Sequence, residues 1–115
     1  MAYIEGFVTA VPVAKKQAYL ELAASMVKLF KENGATRVVE CWGDDVPVGK
    51  LTDFRMAVKA EEGEAVVFSW VEYPSKEVRD AANKKVMADD RMKGMEMPFD
   101  GKRMIMGGFA TMIDQ

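Results

Sequence analysis

AVVFSWVEYPSKEVRDAANK, residues 65–84, joins two kinds of periodicity across a single break. Its first part, from Val66 to Tyr73, is dense in β-branched and aromatic residues and reads as a strand. Pro74 interrupts the run and Ser75 offers a side-chain oxygen to cap a helix. Glu77 then sets a carboxylate in the first turn, where the positive end of the helix dipole favours it. Replacing Ser75 by Ala should cost about 1 kcal/mol once that cap forms. Beyond it Val78, Ala81, Ala82, Lys85 and Val86 fall on one side of a helix that fades at residues 88–90. The small alanines let such a helix lie close to a sheet.

Outward toward the N-terminus, residues 3–11 read as a strand that is apolar on both faces. Tyr3, Phe7 and Val11 lie on one face and Ile4, Val8 and Ala10 on the other, interrupted only by Glu5 and Thr9. A strand with one wet face alternates more cleanly, so this one is expected to be covered on both sides. Pro12 ends it. Residues 15–33 then read as an amphipathic helix, with Tyr19, Leu22, Ala23, Met26, Val27, Leu29 and Phe30 at three- and four-residue spacing. The stripe is the core face of that helix. Asn33 and Gly34 stop it, Gly34 being free to take a left-handed conformation.

Residues 36–42 form a second strand, and residues 43–50, with two glycines and a proline, form a loop. Residues 54–59 alternate Phe54, Met56 and Val58 against Arg55, Ala57 and Lys59, which predicts a half-buried strand. Residues 61–64 make an acidic turn leading into the strand of residues 66–73. Residues 91–103 read as a loop in which Met92, Met95 and Met97 fill gaps. Residues 104–113 read as a last strand, nearly unbroken in apolarity, with Gly107 and Gly108 marking a bulge or a close backbone approach.

This order predicts an α+β fold in which two right-handed crossovers put both helices on one face of an antiparallel sheet, the ferredoxin-like arrangement. The other face is left open, yet the strands are apolar there as well. Exposed apolar surface of several hundred Å² calls for a partner. A second copy related by a two-fold axis is the simplest one, its sheet packing on the first to give a dimeric α+β barrel. A length of 115 residues suits a single domain.

Composition removes several function classes. The chain has no histidine, so the commonest general base, the Ser-His and Cys-His nucleophile pairs, imidazole zinc sites and a proximal-His haem ligand are all absent. Cys41 is the only cysteine, which rules out an internal disulfide and a multi-thiolate metal site. The net charge of −2 provides no global positive field for nucleic acid or anionic lipid. No secretory signal and no membrane span is read from the sequence, so a cytoplasmic location is expected.

Four segments carry a resemblance: Val39-Glu40-Cys41-Trp42, residues 52–58 (TDFRMAV), residues 67–80 (VFSWVEYPSKEVRD) and residues 97–105 (MPFDGKRMI). Together they resemble the YbaA-like bacterial family of unknown function, and the similarity covers essentially the whole chain. The resemblance implies membership of the dimeric α+β barrel superfamily, in agreement with the pattern of elements. It carries no assigned catalytic residues. The wider superfamily includes cofactor-free oxygenases, haem-degrading enzymes and isomerase-like proteins, and the missing histidine disfavours the haem chemistry.

Trp42, Arg55, Trp70, Arg79 and Asn83 are the candidate ligand-binding residues, as the aromatic and polar groups best suited to line a pocket between sheet and helices. The plainer reading makes both tryptophans core or interface anchors and pairs the arginines with Asp53, Asp80 or Glu72. Asp44 and Asp45 read as solvated turn residues rather than a metal site, so no metal is expected. Cys41 reads as a buried, inert thiol. No cofactor is implied. The expected function is binding of a small, partly apolar molecule by a homodimer, with enzymatic turnover left open. The alternatives are a protein-interaction module and, ranked lower, a cofactor-free oxygenase or isomerase-like enzyme, or an RNA binder. RNA is disfavoured because the aromatic-basic signature of RNA-reading strands is missing.

Overall fold

The computed structural model describes residues 1–115. Four strands, β1 (Tyr3–Pro12), β2 (Arg37–Trp42), β3 (Glu64–Tyr73) and β4 (Ile105–Ala110), form one open antiparallel sheet in the order β2-β3-β1-β4. Three helices accompany them: α1 (Lys16–Glu32), the short α2 (Phe54–Ala57) and α3 (Lys76–Ala88). No helix is long and apolar enough to cross a membrane.

The break after β3 behaves as the local chemistry requires. Ser75 is extended and its Oγ accepts from the Val78 amide at 3.2 Å, opening α3. Gly34, at φ +110°, follows the end of α1 in the left-handed region. A β-carbon there would stand 2.6 Å from Cγ1 of Val78, so this glycine also lets α1 and α3 approach.

Register divides the side chains between two faces. Tyr3, Glu5, Phe7, Thr9 and Val11 of β1 share the helix-covered face with Val67, Ser69, Val71 and Tyr73 of β3. That face holds two of the core clusters: Val11, Tyr19, Ala23 and Val67, with Trp42 and Phe99 packed against them, and Ala35, Val71, Tyr73 and Ala82. Ile4, Gly6, Val8 and Ala10 share the opposite face with Val66, Phe68 and Trp70.

Residues 54–59 depart from the predicted strand. The Asp53 carboxylate accepts the Met56 amide at 2.7 Å and the Gly49 amide at 2.8 Å, so it caps a helical turn, and Lys59 closes the turn at φ +51°. A six-residue alternation is too short to outweigh a cap of this kind. The segment becomes a flap over one end of the face opposite the main helices. Val58 is buried against Ala10 and Val66, and the Phe54 ring meets Phe68 edge-on at 6.0 Å. Strand β4 also stops at Ala110, short of the predicted residue 113, where the Thr111 Oγ1 donates to the Ala2 carbonyl at 2.8 Å. Cys41 is exposed rather than buried, because β2 is an edge strand and Cys41 lies opposite Phe68 on the uncovered face.

Candidate functional site

Two groups of side chains stand out, one on each face of the sheet. On the helix side a polar nest forms where α3 crosses β1. Arg79 and Asn83, one turn apart on α3, converge on Glu5 Oε2, at 2.6 and 3.0 Å. The Glu5 carboxylate is 2% exposed. The Arg79 guanidinium is further committed through Nε to Asp80 at 2.8 Å and through Nη2 to the Tyr3 hydroxyl at 3.3 Å, and it stacks 4.9 Å from the Tyr3 ring centroid. The hydrogen bond to Glu5, more than any other influence, holds the Arg79 pKa above the ordinary guanidinium value. Gly108 on β4 makes the arrangement sterically feasible, since a β-carbon there would stand 2.7 Å from Arg79 Nη1 and would collide with the Tyr3 hydroxyl.

Tyr73, fully buried, borders this nest, and its hydroxyl has no partner within the protein. Burial, with the Glu5 carboxylate adding to it, pushes the Tyr73 pKa up to about 12, so the phenol stays protonated. The Thr9 hydroxyl, on the same face, is likewise buried and unpartnered. At the far edge of that face the Tyr19 hydroxyl donates to Glu40 Oε1 at 2.6 Å. Desolvation where these two groups meet, at the partly buried Tyr19 hydroxyl above all, raises both pKa values.

The opposite face is apolar. Phe68 is 44% exposed, Ile105 46% and Phe109 60%, and Trp70 meets Phe68 at 5.8 Å between ring centroids. Together with Ile4 and Val8 they line a shallow hollow of about 560 Å³ floored by Gly6 and Gly107, which pair directly across β1 and β4. The Trp70 indole N–H donates to Glu72 Oε2 at 3.0 Å, and the same oxygen lies 3.4 Å from Arg37 Nη1 at the rim.

The five residues singled out from sequence therefore occupy four places. Arg79 and Asn83 come together on Glu5. Trp70 lies on the apolar face. Trp42 packs into the helix-side core beneath Lys16, whose ammonium sits 5.0 Å from its ring. Arg55 ties the flap down by donating to the carbonyls of Glu64 at 2.7 Å and Glu61 at 3.0 Å. Asp44 and Asp45 are exposed, and no group of three or more acidic or cysteine side chains is placed to hold a metal ion. Glu5, Tyr3 and Tyr73 went unremarked as candidates, and so did the glycine pair with Phe109. Glu5 left one readable signal: it is the charged residue in an otherwise apolar strand.

A family model described as "Protein of unknown function (DUF1428)" matches residues 2–101. The chain belongs to the DUF1428 family. The "Uncharacterized protein YbaA" of Escherichia coli strain K12 is 69% identical over 117 aligned positions that span all of both chains, and the protein of the same description in Shigella flexneri is equally similar. The resemblance read from residues 39–42, 52–58, 67–80 and 97–105 is thus that of a bacterial family of unknown function. The DUF1428 model ends before β4, whereas the full-length relatives extend the similarity through the strand that carries Gly107, Gly108 and Phe109.

Proposed function

We propose that this DUF1428 protein is a single ferredoxin-like domain that pairs through its open sheet faces into a dimeric α+β barrel, and that the dimer binds a small, partly apolar molecule. The observation that carries the reading is the set of half-exposed Phe68, Ile105 and Phe109 around Trp70 on one sheet face. Two further features support it. The strand order, with one long helix following β1 and another following β3, is the one the ferredoxin-like arrangement requires. The chain is also flat: its extents are 37 × 37 × 21 Å, and its radius of gyration is 14.7 Å where about 13 Å is usual for this length. Only 17 of 115 residues are buried, and large apolar side chains such as Phe68 and Phe109 are left exposed on the face without a main helix.

The size of the face suits a second copy. Four strands spaced about 4.8 Å apart, with about 3.3 Å per residue along each, project roughly 500 Å² before side-chain relief is counted, less the end at Ala10 and Val66 that the flap covers. A standard interface takes about 800 Å² of accessible surface from each partner, and half-exposed side chains such as Phe68, Ile105 and Phe109 add relief to the projected area. A cytoplasmic setting, where thiols stay reduced, fits the exposed Cys41.

Light scattering at micromolar concentration tests the assembly. The expected mass is twice the 12.8 kDa of the chain, and a clean monomer overturns the pairing. Tryptophan fluorescence and thermal shift against a metabolite panel test the binding. No response to any compound favours the rival, a protein-interaction module whose aromatic residues serve only core and interface. Salt-dependent, submicromolar binding of an RNA oligomer would favour the RNA reading instead.

A second ligand position, between sheet and helices, is favoured by the buried, unpartnered hydroxyls of Tyr73 and Thr9. There Arg79 and Asn83 act through Glu5, and the two hydroxyls suit a small polar molecule. Trp42 contributes packing on the helix side, and Arg55 anchors the flap on the opposite face.

A further inference from the structure

We infer that the two sheets of the dimer enclose a small, uncharged, hydrocarbon-rich ligand over the floor made by Gly6 and Gly107. This rests on the sheet-to-sheet pairing proposed above and names the chemistry of what that pairing would hold.

The floor follows from register. Val39 pairs with Trp70, Trp70 with Gly6, and Gly6 with Gly107, so one row crosses all four strands and its last two positions carry no side chain. On a pleated face built of large apolar residues, two adjacent glycines leave a recess where side chains would otherwise meet a facing sheet. The recess is the hollow of about 560 Å³, within the range of small-molecule sites. An isologous contact about a two-fold axis sets an identical recess on the partner's face, so a layer that would otherwise be filled by interdigitation keeps free volume.

The lining decides the ligand class. Phe68, Trp70, Ile105 and Phe109 are among the residues that line the recess, and no charged residue lines it. Its one strong side-chain donor, the Trp70 indole N–H, is already committed to Glu72. At the rim Glu72 and Arg37 neutralise one another. A charged ligand would be desolvated here with nothing to pair it, a cost that excludes it. An uncharged aromatic or aliphatic molecule meets no such desolvation penalty on entering. Phe109 is the adaptable part of the site: its ring lies over the glycine floor, 3.5 Å from the points where β-carbons on Gly6 and Gly107 would lie, and the residue is 60% exposed, so a ligand settles on the floor beside or in place of that ring.

The test uses the full chain with two fluorescent probes of similar shape, neutral N-phenyl-1-naphthylamine and the anionic 8-anilinonaphthalene-1-sulfonate, with light scattering run in parallel. The expected result is a dimer that binds the neutral probe saturably and at least tenfold more tightly than the sulfonate. Val8→Trp and, separately, Gly6→Val fill the recess from different strand positions, and each should weaken the neutral probe at least tenfold. Light scattering and circular dichroism identify the variants that keep the fold and the dimer. A dimer that binds neither probe, that shows no preference for the neutral one, or that binds it unchanged in a folded, filled variant overturns the enclosed apolar site and leaves the pairing intact. A monomer overturns the pairing itself, and the enclosure with it, whether or not the probe binds.

Discussion

Arg79 Nη1 and Glu5 Oε2 lie 2.6 Å apart across 74 residues of chain, with 15% and 2% of their side chains exposed. The pair pins α3 to β1, and the Asn83 amide completes the hold on the same oxygen. Removing one partner from such a pair leaves an uncompensated charge in a low-dielectric setting, which costs about 3–5 kcal/mol, whereas removing both is far milder. Arg79→Met should therefore lower the unfolding free energy by about that amount. The double variant Glu5→Leu/Arg79→Met should recover most of the loss in urea denaturation. Equal stability of the single and double variants would show that the charge on Glu5 is not the issue.

Gly34 joins two constraints at one residue. Its φ of +110° disfavours any side chain, and a β-carbon there would press on Cγ1 of Val78 at 2.6 Å. Gly34→Ala should cost more than about 1 kcal/mol by thermal or urea unfolding. Shortening the neighbour in Gly34→Ala/Val78→Ala relieves the contact and leaves the backbone term, so the cycle separates the two contributions.

Glu64 reports on acid stability. Arg103 donates to both of its carboxylate oxygens at 2.8 Å, and this pairing, above all, lowers the Glu64 pKa from 4.5 to about 2. A carboxyl whose pKa is depressed on folding contributes stability that is present above its unfolded value and is lost as the pH falls through the folded one. Glu64→Gln should thus be less stable than the parent at neutral pH. Its stability should converge on the parent's as the pH drops from 4.5 to about 2, measured by urea unfolding across that range. Asp89, held down to about 2 by Arg91, titrates in the same window, so the difference between the two proteins, not either profile alone, carries the result.

The strands and long helices were legible because their periodicity is sustained: ten residues in β1 and in β3, and 17 in α1. The turn at Pro74 and Ser75 was legible because its chemistry is local. Residues 54–59 were not, since a period of two over six residues competes with a single cap at Asp53 that alternation does not register. The polar nest stayed hidden for a different reason. Glu5 and Thr9 were visible as interruptions of an apolar strand, but nothing in the sequence assigns Arg79, 74 residues away, to Glu5. Nor does it say that Gly107 would be set beside Gly6. Such pairings are properties of register, and register is decided by the whole sheet.

The flap at residues 54–60 offers a test of how far that single cap controls its surroundings. Asp53 holds two amides, and three backbone bonds depend on the turn it opens: Ala57 to Asp53, Lys59 to Met56 and Ala60 to Arg55, at 3.0, 3.1 and 2.9 Å. Beneath them Val58 closes over Ala10 and Val66. Asp53→Ala removes the cap and leaves the Arg55 and Arg103 anchors, the latter donating to the Lys59 carbonyl at 2.9 Å. Hydrogen exchange should then accelerate several-fold at the amides of residues 57, 59 and 60, while the β1–β3 ladder exchanges as before. Acceleration spread evenly through the sheet would mean that the flap is part of the cooperative core. Unchanged exchange at all three amides would mean that Val58, not the cap, holds the flap closed.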